Sequence, residues 1–217
     1  MAGTGAPIES IFLTPVAAPA ILGLYGFAAA QAAVAAGLIG AYPASAALII
    51  GPFAGLLGGV AQFAAAMWAF RARDGLGTGM LGVWGSFWIG YGILQLLFAT
   101  GTLVAPGAVS VGLGVVFGTL AAITYVGAIA AARVNLALCA TLFLLASGAA
   151  VGSAANATGD PTVTVAAGAV FMAAAAAGWY TASGLLLRSV YRRSILPMGL
   201  RKRPGDLTTA RGEPGIF

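Results

Sequence analysis

Inside the apolar stretches of this chain, the side chains able to do chemistry are few and uncharged: Gln31, Gln62, Ser86, Gln95, Thr119, Thr124, Thr141 and Ser147. A polar side chain in hydrocarbon needs a partner, a protein cavity or water. Each glutamine therefore reads in one of two ways, as glue between helices or as a contact for a passing solute. Aromatic residues accompany them at helical spacing. Gln31 lies four residues beyond Phe27 on one face, and Trp84 and Trp88 share a face with Tyr91 nearby. These rings read as packing, as lipid-facing belts or as the wall of a pore.

Other chemistry lacks its raw materials. The sequence holds no histidine, so it has no His-based metal site, no Ser–His or Cys–His nucleophile pair and no imidazole switch. The single cysteine, Cys139, lies within an apolar run and has no internal disulfide partner. The acids are Glu9, Asp74, Asp160, Asp206 and Glu213, none near the middle of an apolar stretch. A charge pathway through a membrane shows as buried acids or bases. The expectation is a protein without catalytic residues, metal or cofactor, and not an enzyme.

The elements that must position these residues follow from composition. Of 217 residues, 60% are hydrophobic and 7% charged, and the mean hydropathy is +0.99. A soluble domain carries about 25% charged residues to face water. The main solvent of this chain is lipid. The 33 glycines have no period of three, which excludes collagen, and the apolar content excludes disorder. A membrane-crossing helix needs about 20 apolar residues. Six runs qualify, over residues 21–41, 44–70, 79–99, 108–131, 136–152 and 163–187, with the polar stretch 153–162 separating the last two. They are too long and unbroken for barrel strands, and an open sheet cannot satisfy its backbone in hydrocarbon.

The predicted organisation is an N-terminal segment over 1–20, a six-helix membrane domain over 21–187 and a basic tail over 188–217. The first run lacks a positively charged region before it, so it reads as a span and not as a signal peptide. The segment Ile8-Glu9-Ser10-Ile11-Phe12-Leu13 reads as lying on the membrane surface, and no further domain is expected. Six spans place both termini on one side. That side collects all 10 basic residues, from Arg71, Arg73 and Arg133 to the tail, while the other carries Asp160. By the positive-inside rule both termini are cytoplasmic in the cell membrane. The net charge of +5 is then loop charge and not a nucleic-acid footprint.

Small residues recur at four-residue steps: Gly51, Gly55 and Gly59; Gly82, Ser86 and Gly90; Gly114 and Gly118. Such rows let helix backbones approach closely. They offer more packing surface than one six-helix bundle plausibly needs, which points to assembly of several subunits.

Specific strings then become legible. Ala18-Pro19-Ala20-Ile21-Leu22-Gly23-Leu24-Tyr25-Gly26-Phe27 resembles the Asn-Pro-Ala-Pro-Leu-Gly-Leu signature of the acetate uptake transporter family, the succinate–acetate permease type. The resemblance continues through Gly58-Gly59-Val60-Ala61-Gln62-Phe63, Met67-Trp68-Ala69-Phe70-Arg71 and Gly85-Ser86-Phe87-Trp88 to Arg193-Ser194-Ile195-Leu196-Pro197-Met198-Gly199. Counting Gly58–Phe63 and Met67–Arg71 as one continuing match, these are four motifs in order, in register with six spans, and together they are fairly specific. The resemblance implies six helices around a pore within each subunit, a homohexamer, and movement of acetate and related short carboxylates, succinate in some members, usually by proton symport. It places a constriction at Phe27, Trp84 and Leu142. Polarity and helical spacing, and not the resemblance, add Gln31, Gln62, Ser86 and Trp88 as pore-lining or solute-contacting residues. Trp84 stands where the family has Tyr, and Ala18 where the signature opens with Asn. Ala69 and Leu185 stand where the family often has Glu, which weakens carboxylate-mediated proton coupling. Aquaporins share six spans, but a second Asn-Pro-Ala copy and a filter Arg are lacking here. The alternative is a channel for a small neutral amide such as urea, whose lack of charge suits the same neutral lining.

Overall fold

The computed structural model describes residues 17–104 and 107–199. The surface-lying reading of residues 8–13 and most of the basic tail fall outside them. Six helices are long and apolar enough to cross a membrane. They are α1 (Pro19–Leu38), α2 (Ala47–Arg71), α3 (Gly75–Ala99), α4 (Gly107–Ala131), α5 (Leu136–Thr158) and α6 (Pro161–Tyr191). Among the described residues there is no strand.

The helix starts obey local rules. Asp74, Asn135 and Asp160 are N-caps, each accepting a backbone N–H from the first turn, from Gly77 at 2.9 Å, Leu138 at 2.7 Å and Thr162 at 2.7 Å. Pro19 and Pro161 occupy the first turns of α1 and α6, where a missing N–H costs nothing. Gly159 ends α5 in the left-handed region at φ +68°.

Two boundaries differ from the sequence expectation. Residues 153–158, read as part of a polar separator, are the last turns of α5. Their polar groups are paired sideways: the Ser153 hydroxyl donates to the Gly114 carbonyl at 2.7 Å, and the Ser110 hydroxyl donates to the Asn156 carbonyl at 3.0 Å. Helix α6 runs on to Tyr191, so Arg188 belongs to its last turn. Helix α2 also departs from regular geometry. Between Gly55 and Ala61 it widens into a π-helical segment, with α-helix on both sides. Pro52, just before it, cannot donate to its own helix.

Each helix packs against its neighbours in sequence, and α6 packs back on α1, closing a ring. The outer faces are apolar: Ile129 is 75% exposed, Ile49 68% and Val126 67%. That is the reverse of a water-soluble surface and suits lipid. The glycine rows of α2 and α4 are used inside the subunit. Gly51 faces Gln95, Gly55 faces Gly92 and Gly59 faces Ile89 on α3, while Gly114 and Gly118 face Ser153 on α5. The third row differs: Ser86 and Gly90 of α3 are exposed, and a Cβ on Gly90 would meet nothing within 4 Å, so this row faces outward. Gly26 permits the closest approach between two helices, since a Cβ there would run into the Leu57 carbonyl oxygen of the π segment.

The segment after α6 turns back under the bundle. Arg192 ends the helix with φ +56°. The Met198 side chain is buried against Gly184, and the Tyr180 hydroxyl donates to the Pro197 carbonyl at 2.8 Å. The Ala137 and Leu136 amides donate to the Met198 and Gly199 carbonyls at 3.2 and 3.3 Å. The first amides of a helix have no partner within it. Here the returning chain supplies two.

Candidate functional site: a neutral cavity above packed aromatics

A cavity of about 450 Å³ opens at the bundle end opposite the termini and is lined by all six helices. Its wall carries Gln31 from α1, Trp88, Tyr91 and Gln95 from α3, Ser110 from α4, Asn156 from α5 and Thr164 from α6, with Tyr42 at the rim. None of the lining residues is charged. Burial pushes the Tyr42 phenol above its usual range, so it stays a neutral donor, to the Ala33 carbonyl at 2.7 Å. Such a wall offers a small solute hydrogen bonds without a fixed charge.

The cavity floor is aromatic. Phe87, Phe117 and Phe171 line it. They belong to one packed cluster with Phe27, Trp84 and Leu145, none of which lines the cavity. Phe27 is 1% exposed and fits beside Gly178, where a Cβ would meet its ring at 2.7 Å. The Trp84 indole N–H donates to Thr124 Oγ1 at 2.9 Å, and the Thr124 hydroxyl donates to the Leu120 carbonyl at 2.6 Å. The Trp84 donor is thus spoken for and turned towards α4.

The structure brings some of the expected residues together and separates others. Phe27 and Trp84 share a cluster. Leu142 is buried in a different one, with Ala128 and Ala131, nearer the end that carries the termini. Next to it, the Thr141 and Thr181 hydroxyls lie 3.1 Å apart. Gln31 and Trp88 line the cavity, each one turn beyond Phe27 and Trp84. The Trp88 Nε1 is buried without a hydrogen-bond partner. Gln62 is buried just after the π segment, away from the cavity, and its Oε1 has no partner either. Ser86 stands apart from all of these. It is exposed, and its hydroxyl donates to the Gly82 carbonyl at 2.8 Å.

Sequence reasoning missed Phe87, Phe117 and Phe171 as the floor, and Ser110 and Asn156 as wall. For α3 a signal existed: Phe87, Tyr91 and Gln95 recur at four-residue steps on one face, beside the face of Trp84 and Trp88. At the two positions where the family often has Glu, Ala69 is fully buried, and Leu185 packs beside Ala20, Leu24 and Ala182. Among the described residues no cluster of three metal-ligating side chains occurs.

A ring of six lipid-facing helices around a neutral cavity, closed below by packed rings, is the architecture of a membrane channel or transporter. The chain belongs to the GPR1/FUN34/yaaH family, whose model matches residues 3–195; this is the acetate uptake transporter family to which the motifs pointed. The solved structure of the bacterial acetate channel SatP is similar to it, with a TM-score of 0.79 and 25% identity, over 85% of this chain and 100% of that one. Among curated proteins no significant match is found.

Proposed function

We propose that each subunit passes acetate and related short monocarboxylates across the cell membrane. The observation that carries this reading is the uncharged cavity lined by all six helices, set over an aromatic barrier. Family membership and the likeness to the acetate channel support the solute class; neither favours urea. Amide and hydroxyl groups replace part of a carboxylate's hydration, and the rings suit its methyl group. The unpartnered Trp88 N–H is a donor at the right depth. Phe27 and Trp84, with Leu142 on the exit side, form the narrow part.

This is transport without a catalytic step. Among the described residues the only carboxylates are the helix caps Asp74 and Asp160, so a side-chain proton relay has no carrier within the described spans. The basic residues support a cytoplasmic location for both termini. Arg71, Arg73, Arg133, Arg188, Arg192 and Arg193 mark that end of the bundle, and the opposite end has Asp160. The assembly is proposed as a homohexamer, on the strength of the family resemblance and the apolar outer faces. The purified protein in vesicles should take up labelled acetate and not labelled urea, and native mass spectrometry in detergent should show six copies. Urea uptake without acetate uptake would overturn the solute assignment.

A further inference from the structure

We propose that Phe87, Phe117 and Phe171 form a second apolar gate, between the cavity and the Phe27–Trp84 level, which a solute must part to go further. The proposal rests on the transport reading above. Three observations carry it.

The rings form a continuous chain across the bundle. Phe87 and Phe117 have centroids 5.3 Å apart, and Phe117 and Phe171 5.9 Å apart. The three come from α3, α4 and α6, so the chain ties together helices that are not all neighbours in the ring. Phe87 is its hub. It also meets Trp84 at 5.4 Å and Trp88 at 5.3 Å, both edge to face.

The chain lies at the boundary between open and closed space. All three rings line the cavity, whereas Phe27 and Trp84 belong to the same cluster but do not reach it. Phe87 and Phe117 are only half-buried because one side of each faces the cavity. That free side gives them room to change rotamer. Trp84 is held by Thr124, whereas a phenylalanine ring has no hydrogen bond to hold it.

The fourth wall is shaped around the gate. Gly148 and Gly152 of α5 face Phe171: a Cβ on Gly148 would meet its Cδ1 at 2.5 Å, and one on Gly152 its Cε2 at 3.4 Å. A single added methyl at Gly148 therefore pushes Phe171 towards the chain's midline. Apolar constrictions control passage by dewetting, and ring faces carry partial negative charge that disfavours a bare carboxylate. The gate passes a solute with a methyl to present and delays larger or more hydrated ones.

The test uses the full chain in vesicles. Uptake of labelled acetate and labelled lactate is measured per folded protein for wild type, Phe117→Ala and Gly148→Ala, with melting temperature alongside. Phe117→Ala should raise lactate uptake relative to acetate by about tenfold, the scale on which small steric differences discriminate. Gly148→Ala should slow both solutes while the protein stays folded. Should Phe117→Ala fail to fold, Phe117→Leu removes less volume and should shift selectivity in the same direction by a smaller factor. Wild-type uptake with the same lactate-to-acetate ratio in both phenylalanine and glycine variants overturns the gate and leaves transport standing. Wild-type vesicles that take up no acetate overturn the transport reading and the gate with it.

Discussion

The Trp84 indole N–H donates to the Thr124 hydroxyl at 2.9 Å, and both residues are buried. The bond joins α3 to α4 where the helices enclose the Phe27 cluster. It fixes which face of the indole meets the neighbouring rings. It also occupies the polar atom by which a tryptophan at this position would otherwise address a solute. What the indole offers its surroundings at this level is shape.

The first prediction concerns that bond. Thr124→Val keeps the shape of the side chain and removes the acceptor. It leaves a buried N–H unsatisfied, at a cost of about 1–3 kcal/mol. The melting temperature in detergent should fall, and Thr124→Ser should restore most of it. A Thr124→Val protein as stable as wild type would mean that the indole finds another acceptor.

A second prediction separates sieve from packing at Trp84 itself. Trp84→Ala opens space in the core at a cost of about 3–5 kcal/mol. As part of the narrow point, the change should also admit succinate and lactate and weaken acetate selectivity. Solute-size dependence of uptake per folded protein, read beside melting temperature, decides the matter. Lower stability with unaltered selectivity assigns Trp84 to packing alone.

The third concerns the π segment. At Gly26 an added methyl runs into the Leu57 carbonyl, which is backbone and cannot swing aside. Gly26→Ala should force α1 and α2 apart and reduce the yield of folded protein sharply. Gly90→Ala, where nothing lies within 4 Å, is the matched control and should behave as wild type. Equal yields from the two would show that the helices shift without penalty.

Topology supplies the fourth. In a Cys139→Ser background, Asp160→Cys lies at the α5–α6 turn, opposite the basic end. A membrane-impermeant thiol reagent should label it from outside intact cells. Labelling only after the membrane is opened would invert the orientation.

Much of the fold was legible because the bilayer imposes one strong rule on long apolar runs. All six spans were found within a few residues at most ends. The exceptions have a common cause. Ser153 and Asn156 look like loop residues by type, yet they are helical because α4 offers them partners. Polarity read along a chain cannot show a partner on another helix. The π segment Gly55–Ala61 was not read from the sequence, although Pro52 just before it removes a helix donor and three of its seven residues are glycine. At the site, Gln31 and Trp88 were picked out by spacing from Phe27 and Trp84. Ser86 was singled out by type, and its side of α3 proved to face outward. Phe117 and Phe171 are the lone phenylalanines of long apolar helices, and only the ring contacts reveal them.

The returning segment at Pro197–Gly199 has a consequence for the order in which the molecule is made. Chains are synthesised from the N-terminus, and early parts settle before later ones exist. The N-terminus of α5 takes its caps from the Met198 and Gly199 carbonyls, which emerge only after the whole of α6. Until then two amides at that end of the bundle must be kept hydrated. The helix that carries Thr141 and Leu142 thus receives its N-terminal caps only after the whole of α6 has been made.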